Sequence, residues 1–131
     1  MIWYSKALQK LGEATLDLGA GTFKIALCSS AYTADTSDSG DDFFDDVSGV
    51  LASVTSSGVA WSAAREFSAT DATVTDPGSG TATQLVLYKD TGTPATSTLI
   101  GYDNTATNLP ITFDGTDDLL DFGSYILKLG S

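Results

Sequence analysis

Carboxylates are side chains that bind metal ions or transfer protons, and this chain concentrates them after its first apolar segment. Six lie within a dozen positions: Asp35, Asp38, Asp41, Asp42, Asp45 and Asp46. An EF-hand calcium loop needs a glycine at its sixth position and a glutamate at its twelfth. Counted from Asp35, Gly40 fits, but Asp46 stands in place of the glutamate and serines fill intermediate positions. We predict a solvated loop and no metal site, with a weak calcium candidate at Asp35, Asp38, Asp41 and Asp42.

The residues needed for the common kinds of catalysis are missing. The chain has no histidine, so no imidazole can activate a serine or the single cysteine, Cys28. It contains neither a G-x-S-x-G elbow nor a phosphate-binding loop, and a zinc site lacks ligands. A glycosidase-like carboxylate pair needs a cleft, whereas these aspartates lie among turn residues. We predict no catalytic residue, no cofactor and no enzymatic activity, with Cys28 as a small buried side chain.

The composition limits the class of partner. The 131 residues suit one domain, expected to span 1–131, and 42% of them are hydrophobic. Six basic residues against 17 acidic ones give a net charge of −11. This charge repels phosphate backbones and anionic lipids, so we expect neither nucleic acid nor membrane as a partner. Since we see no signal peptide, we expect synthesis in a cytoplasm.

The N-terminal residues are predicted to form a helix over 2–16, followed by a turn at 18–21. Its apolar residues fall at helical spacing: Trp3, Ala7, Leu8, Leu11 and Ala14. Ser5 is a candidate cap for a slightly shorter helix. Two aromatic residues at a terminus, Trp3 and Tyr4, suggest docking, and we leave open whether residues 1–18 dock on this domain or on a neighbouring subunit.

The remainder of the chain is typical of an all-β protein. Short apolar segments alternate with Gly, Pro, Asp and Thr at spacings of about ten residues. Strands are predicted over 23–28, 72–74, 85–89, 99–102, 111–113 and 123–129. Strands are also predicted over 50–55 and 59–67, with a helix left open as the alternative between 50 and 67. Short helical turns are predicted over 41–47 and around Leu119 and Leu120, the second with both leucines facing inward. Trp61 is predicted to lie in the core or at an interface. The predicted fold is an antiparallel β-sandwich, jelly-roll-like, with one N-terminal helix.

Three stretches carry a family resemblance: GTFKIALCSSAYTADTSD, DDFFDDVSG and LVLYKDTGTPATSTLIGY. Together they resemble a family of short virion proteins of tailed bacteriophages, described as minor capsid, decoration or head-fibre-type proteins. Residues 22–33 and 85–102 match that pattern well. SVTSSGVAWSAAREF replaces the family's usual G-T-G-Y-x-x-G-G segment, and the C-terminal GTDDLLDFGSYILKLG is looser than the family's pattern.

The resemblance implies a capsid decoration (cement) protein on the outer surface of the virion head. Its expected partners are the major capsid protein and further copies of itself, as a trimer. The predicted contact residues are Ile2, Trp3, Tyr4, Leu8 and Leu11. One alternative is the base or adaptor of a head spike or tail fibre. Another is a glycan- or calcium-binding module for host attachment, with Trp61 and the YKDTGTPATS loop as its site.

Overall fold

All strand pairings in the computed structural model are antiparallel, which confirms the predicted all-β class with one helix. The structure describes residues 1–123 and 126–128. The helix α1 spans Ser5–Gly12, and 3₁₀ turns lie at Phe44–Asp46 and Pro94–Thr96. The strands are β1 (Ile2–Trp3), β2 (Thr22–Cys28), β3 (Val50–Thr55), β4 (Ala60–Trp61), β5 (Glu66–Ser68), β6 (Ala72–Val74), β7 (Thr81–Ala82), β8 (Gln84–Asp90), β9 (Thr98–Asp103), β10 (Ile111–Thr112), β11 (Asp118–Leu120) and β12 (Leu127–Lys128).

The main sheet has five strands in the order β1-β9-β8-β2-β3. Its central strands are apolar on both faces because small sheets and loops cover them, and Ile25 of β2 pairs with Leu87 of β8 in the core. Smaller sheets form from β10 with β7, from β11 with β6, and from β12, β5 and β4. The last of these packs on the main sheet, where the rings of Phe67 and Phe23 meet edge to face at 5.0 Å. The result is sandwich-like.

The N-terminal prediction of one helix over 2–16 is wrong at both ends. Ile2 and Trp3 form β1, which pairs with β9 at the edge of the main sheet. The amide of Tyr4 donates to the carbonyl of Ile100 at 3.0 Å, and the helix starts only after it. It ends at Gly12, since Ala14 adopts a left-handed φ of 58°. Ser5 is the first residue of the helix and Tyr4 is the cap.

Two further predictions need correction. The single strand expected over 59–67 is a hairpin of β4 and β5, because the chain turns back between Ser62 and Arg65. The helical turn expected at Leu119 and Leu120 is strand β11, which pairs with β6. Because a strand alternates its side chains, Leu120 is buried while Leu119 is 59% exposed.

The other predicted elements largely match the structure. The predicted strands at 23–28, 50–55, 72–74, 85–89, 99–102 and 111–113 overlap β2, β3, β6, β8, β9 and β10, and the 3₁₀ turn at Phe44–Asp46 falls inside the predicted turn over 41–47. Of the predicted strand over 123–129, only Leu127–Lys128 forms a strand, β12. Gly123 and Ile126 lie outside it, and positions 124, 125 and 129 lie outside the described residues. The two-residue strand β7 was not predicted.

Aspartate carboxylates fix the long connections between these strands. Asp76 is the clearest case, because its Oδ2 accepts the backbone amides of Asp114 at 2.9 Å and Gly115 at 2.7 Å, while its Oδ1 accepts that of Gly78. One carboxylate therefore ties together two turns that are 38 residues apart in sequence. Burial would raise the pKa of Asp76, but the hydrogen bonds from Gly78, Gly115 and Asp114 outweigh it and hold that pKa below its ordinary value.

We expect Asp76→Asn to lower the melting temperature at pH 7 by several degrees, because one amide oxygen replaces two acceptor oxygens. A carboxyl whose pKa is lowered by folding stabilises the protein above its unfolded-state pKa of about 3.9, and this contribution disappears as the pH falls through the folded-state pKa. The gap between wild type and variant should therefore begin to narrow below about pH 4 in thermal melts and close as the pH falls through the lowered pKa of Asp76. Asp45→Asn removes the same charge from an exposed position and should leave no comparable gap. A gap that persists unchanged at pH 2 contradicts this role.

The loop over 35–46 that carries the six clustered aspartates, here called the acidic loop, depends on Gly40. The amide of Asp41 donates to the carbonyl of Asp35 at 2.8 Å, and that of Gly40 to the carbonyl of Ser37 at 3.0 Å. A Cβ atom at position 40 would overlap the backbone oxygen of Asp35, which cannot move without opening the loop. By contrast, a Cβ on Gly12 of α1 would meet nothing within 4 Å.

The same substitution at these two glycines should have opposite effects. We expect Gly40→Ala to lower the free energy of unfolding by about 1–3 kcal/mol, as steric strain in a closed loop does. Gly12→Ala should raise it by about 0.5–1 kcal/mol, because alanine restricts the unfolded chain and favours the helix. Urea denaturation measures both values. Equal effects at the two positions would show that the loop has room for a side chain.

Candidate interaction surface

The predicted calcium candidates serve the fold as hydrogen-bond acceptors. Asp41 Oδ2 accepts from the Tyr32 hydroxyl at 2.7 Å and from the backbone amide of Asp35 at 3.0 Å. Asp35 Oδ1 in turn accepts from the amide of Ser37. Among residues 1–123 and 126–128, no group of three or more carboxylate, cysteine or histidine side chains is placed to hold a metal ion. The structure does not bring Asp35, Asp38, Asp41 and Asp42 together as ligands.

A hydrogen-bonded chain links the acidic loop to the core. Because the Tyr32 hydroxyl donates its proton to Asp41, the Tyr4 hydroxyl donates to Tyr32, at 2.8 Å. Burial raises the pKa of Tyr4 and of Tyr32 well above the ordinary value for a phenol, and the nearby charge of Asp41 raises each pKa further. Both hydroxyls therefore stay protonated. Tyr4 is completely buried. These two hydrogen bonds hold the start of α1 against the acidic loop.

Aromatic contacts anchor the rest of the acidic loop. Phe44 stacks on Tyr88 of β8 with ring centroids 4.0 Å apart, and the Lys10 ammonium lies 3.7 Å from the centre of the Phe43 ring. Asp46 Oδ2 accepts the amides of Asp42 and Phe43, which closes the 3₁₀ turn. These contacts leave Asp38 and Asp45 exposed.

Cys28 lies at the end of β2 and is completely buried. Burial raises the pKa of its thiol to about 12, so almost no thiolate exists near neutral pH. The thiolate is the nucleophilic form of cysteine. Cys28 therefore has neither the access nor the ionisation that a catalytic nucleophile needs.

An apolar groove lies beside the first strand and helix. We call it the tryptophan groove; it has a volume of about 540 Å³. Leu16 and Leu18 are buried, whereas Trp61 is 37% exposed. The ring of Trp61 also meets that of Trp3 edge to face at 6.5 Å. The groove is lined by Leu11, Leu16, Asp17, Leu18, Gly19, Trp61 and Arg65.

The predicted contact residues divide between surface and core. Ile2 is 55% exposed and Leu8 is 38% exposed, while Leu11 is half-buried and lines the tryptophan groove. Trp3 is half-buried on Trp61. Tyr4 lies inside its own domain, so its side chain adds nothing to an outer surface. The N-terminal segment thus docks on its own domain and still leaves apolar side chains outside; we call Ile2 and Leu8 the N-terminal patch.

Little in the sequence pointed to the tryptophan groove. Trp61 was expected in the core or at an interface, but no pattern pointed to Arg65, which joins Trp61 only through the hairpin turn. Leu16 and Leu18 follow the helix at irregular spacing, so periodicity could not reveal them. A lone arginine beside a tryptophan in an acidic chain is the one signal that could have found this site.

The connection between β8 and β9, considered above as a glycan site, uses its own polar groups. The Thr91 hydroxyl lies 2.6 Å from that of Thr96, and the Ser97 hydroxyl donates to the carbonyl of Thr93 at 2.9 Å. Asp90 pairs with Lys24 at 3.0 Å. Hydroxyls occupied in this way are poor partners for a sugar.

Comparisons of the chain with protein-family models, with curated proteins and with solved structures found no match. Within the described residues, no helix is long and apolar enough to cross a membrane.

The hydrogen bonds from Tyr4 to Tyr32 and from Tyr32 to Asp41, here called the tyrosine chain, predict an order of stability among three variants. Tyr32→Phe leaves the buried Tyr4 hydroxyl without an acceptor and leaves Asp41 with only the amide of Asp35 as a donor, so it should cost about 1–3 kcal/mol of unfolding free energy. Tyr4→Phe leaves the bond from Tyr32 to Asp41 intact and should cost less. In the double variant no hydroxyl at position 4 is stranded, so its cost should fall below the sum of the two. Chemical denaturation measures all three; additive costs would contradict a coupled chain.

Proposed function

We propose that this protein is a capsid decoration protein of a tailed bacteriophage, which binds the major capsid protein on the outside of the head. The observation that carries the proposal is an exposed apolar N-terminal patch on a strongly acidic domain. The three sequence stretches that resemble phage decoration proteins give the class of partner. The patch is the proposed place of contact.

The main features of the chain suit such a role. The sheets, the tyrosine chain and the aspartate-bound turns tie distant parts of the chain together, which suits a structural protein. A net charge of −11 keeps a protein soluble at the high concentration needed to cover a shell. The described residues also hold no metal cluster, and the buried Cys28 is not ionised.

The mechanism is preferential binding to the assembled shell. A protein that binds only the assembled state stabilises it, by about 2.7 kcal/mol per site when its concentration is a hundred times its dissociation constant. The N-terminal patch is small, whereas stable interfaces bury about 800 Å² on each partner. Single contacts will therefore be weak, and tight coverage requires several linked contacts.

The test uses heads of the encoding phage assembled without this protein. We expect the wild-type chain to co-sediment with them in hundreds of copies per particle and to raise their melting temperature. Ile2→Ser with Leu8→Ser should reduce coverage at least tenfold, because two exposed apolar contacts are lost. Val50→Ser is the matched control: Val50 is 40% exposed at the far edge of the main sheet and should leave coverage unchanged.

Copy number separates this role from its alternative. A handful of copies per particle, found only at a vertex or on the tail, would point to an adaptor for a spike or fibre. No binding to heads, or equal binding by the double serine variant, would remove the proposal that the patch contacts the capsid.

A further inference from the structure

The turn between β4 and β5 is strained. Arg65 ends it with a φ of 65°, a left-handed conformation that is unfavourable for a residue with a side chain. Ser62 closes the turn, because its carbonyl accepts the amide of Arg65 at 2.9 Å and its amide donates to the carbonyl of Glu66 at 3.0 Å. Strand β4 has only two residues and lies at the edge of its sheet. We therefore expect this hairpin to open locally without the rest of the fold.

The same turn is exposed and carries the only arginine in the sequence. Residues 60–65 are all exposed, and among the described residues only the connection over 91–96 has an exposed run of equal length. The lysines whose side chains the structure describes are half-buried in α1, β2 and β8: Lys6, Lys10, Lys24 and Lys89. Arg65 is therefore the one exposed basic side chain among these five residues.

These features suit a trypsin-like protease, which takes a basic side chain into an acidic pocket. Such an enzyme binds the residues around the cleaved bond as an extended segment, and exposed loop tips provide that segment more readily than helices or sheets do. Local opening of the β4–β5 turn would present Arg65 in this way. The four half-buried lysines would become available only after α1 or a central strand of the main sheet had opened.

A cut after Arg65 would leave two pieces that interlock in the main sheet. Strands β1, β2 and β3 precede the cut, whereas β8 and β9 follow it. The sheet order β1-β9-β8-β2-β3 places the two later strands between the earlier ones. Strands β2 and β8 pair along their whole length, with Ile25 opposite Leu87 in the core. Backbone hydrogen bonds and buried apolar side chains therefore join the pieces without the peptide bond.

Aromatic contacts also cross the cut. Phe67 lies two residues after Arg65, is 1% exposed, and packs its ring on that of Phe23 at 5.0 Å. Phe44, which precedes the cut, stacks on Tyr88, which follows it, with ring centroids 4.0 Å apart. The new end at Glu66 would therefore stay anchored close to the point of cleavage.

We propose that the strained β4–β5 turn is a cleavage site for trypsin-like proteases, and that the cut chain keeps its fold as two interlocked pieces. Hydrolysis of the bond between Arg65 and Glu66 consumes one water and leaves a carboxylate on Arg65 and an ammonium on Glu66. The fold thus directs such a protease to a bond whose loss it tolerates. The inference does not rest on the proposed capsid function, because the purified chain alone carries every feature used.

Limited digestion of the full chain with trypsin, followed by mass spectrometry, tests the site. We expect cleavage after Arg65 to be at least about a hundredfold faster than after any of the four half-buried lysines, because those need a larger opening. Once the trypsin is inhibited, the two pieces should co-elute at the volume of the uncut chain. The urea midpoint of the cut protein should rise with its concentration, because unfolding now separates two molecules.

Moving the arginine separates strain from exposure. Ala95 lies in the other exposed run and has no left-handed φ, and the hydroxyls of Thr91 and Thr96 close its turn. Arg65→Gly combined with Ala95→Arg should therefore be cut about tenfold more slowly than the wild type. Arg65→Lys keeps a basic side chain in the strained turn and should still be cut there first. Earlier cuts at the lysines, an equal rate for the moved arginine, or pieces that separate after cleavage would each overturn the inference.

Discussion

The hydrogen bond from a backbone amide to an aspartate carboxylate is the interaction on which the connections of this fold depend. Buried or constrained amides must find acceptors, and here strands of two to seven residues leave much of the backbone in turns. Many of the aspartates accept the amide two residues further on, which shapes a tight turn. At least eleven aspartates bind a backbone amide: Asp17, Asp35, Asp41, Asp46, Asp71, Asp76, Asp90, Asp103, Asp114, Asp117 and Asp121.

This use of aspartate links the charge of the chain to its architecture. The acidic surface is a consequence of how the turns are built, and it also suppresses contact with other anions. On such an acidic surface, the positions where apolar side chains remain exposed are the ones that discriminate between binding partners. The N-terminal patch and the tryptophan groove are two such positions.

The strands that were predicted correctly are those whose own residue pattern favours a strand. Residues 23–28 and 85–89 are rich in apolar side chains, which favours strands, and both form strands of the main sheet. The prediction failed where pairing with a distant segment determines the structure. Ile2 and Trp3 fit a helical pattern, yet they form a strand because they pair with Tyr102 and Gly101 at the edge of the main sheet. Leu119 faces outward because β6 pairs with its strand. The groove was not predicted because Arg65 lies beside Trp61 only through a turn in which Arg65 has a positive φ, a conformation that is unusual for arginine.

The complete burial of Cys28 has a consequence for how the protein ages. A thiol is oxidised or exchanged through its thiolate, and this one is both inaccessible and protonated near neutral pH. Copies held side by side in air therefore have no route to covalent cross-links through sulfur while they stay folded. An assembly built from this chain would keep reversible contacts, and its durability outside a reducing cell would need no protective chemistry.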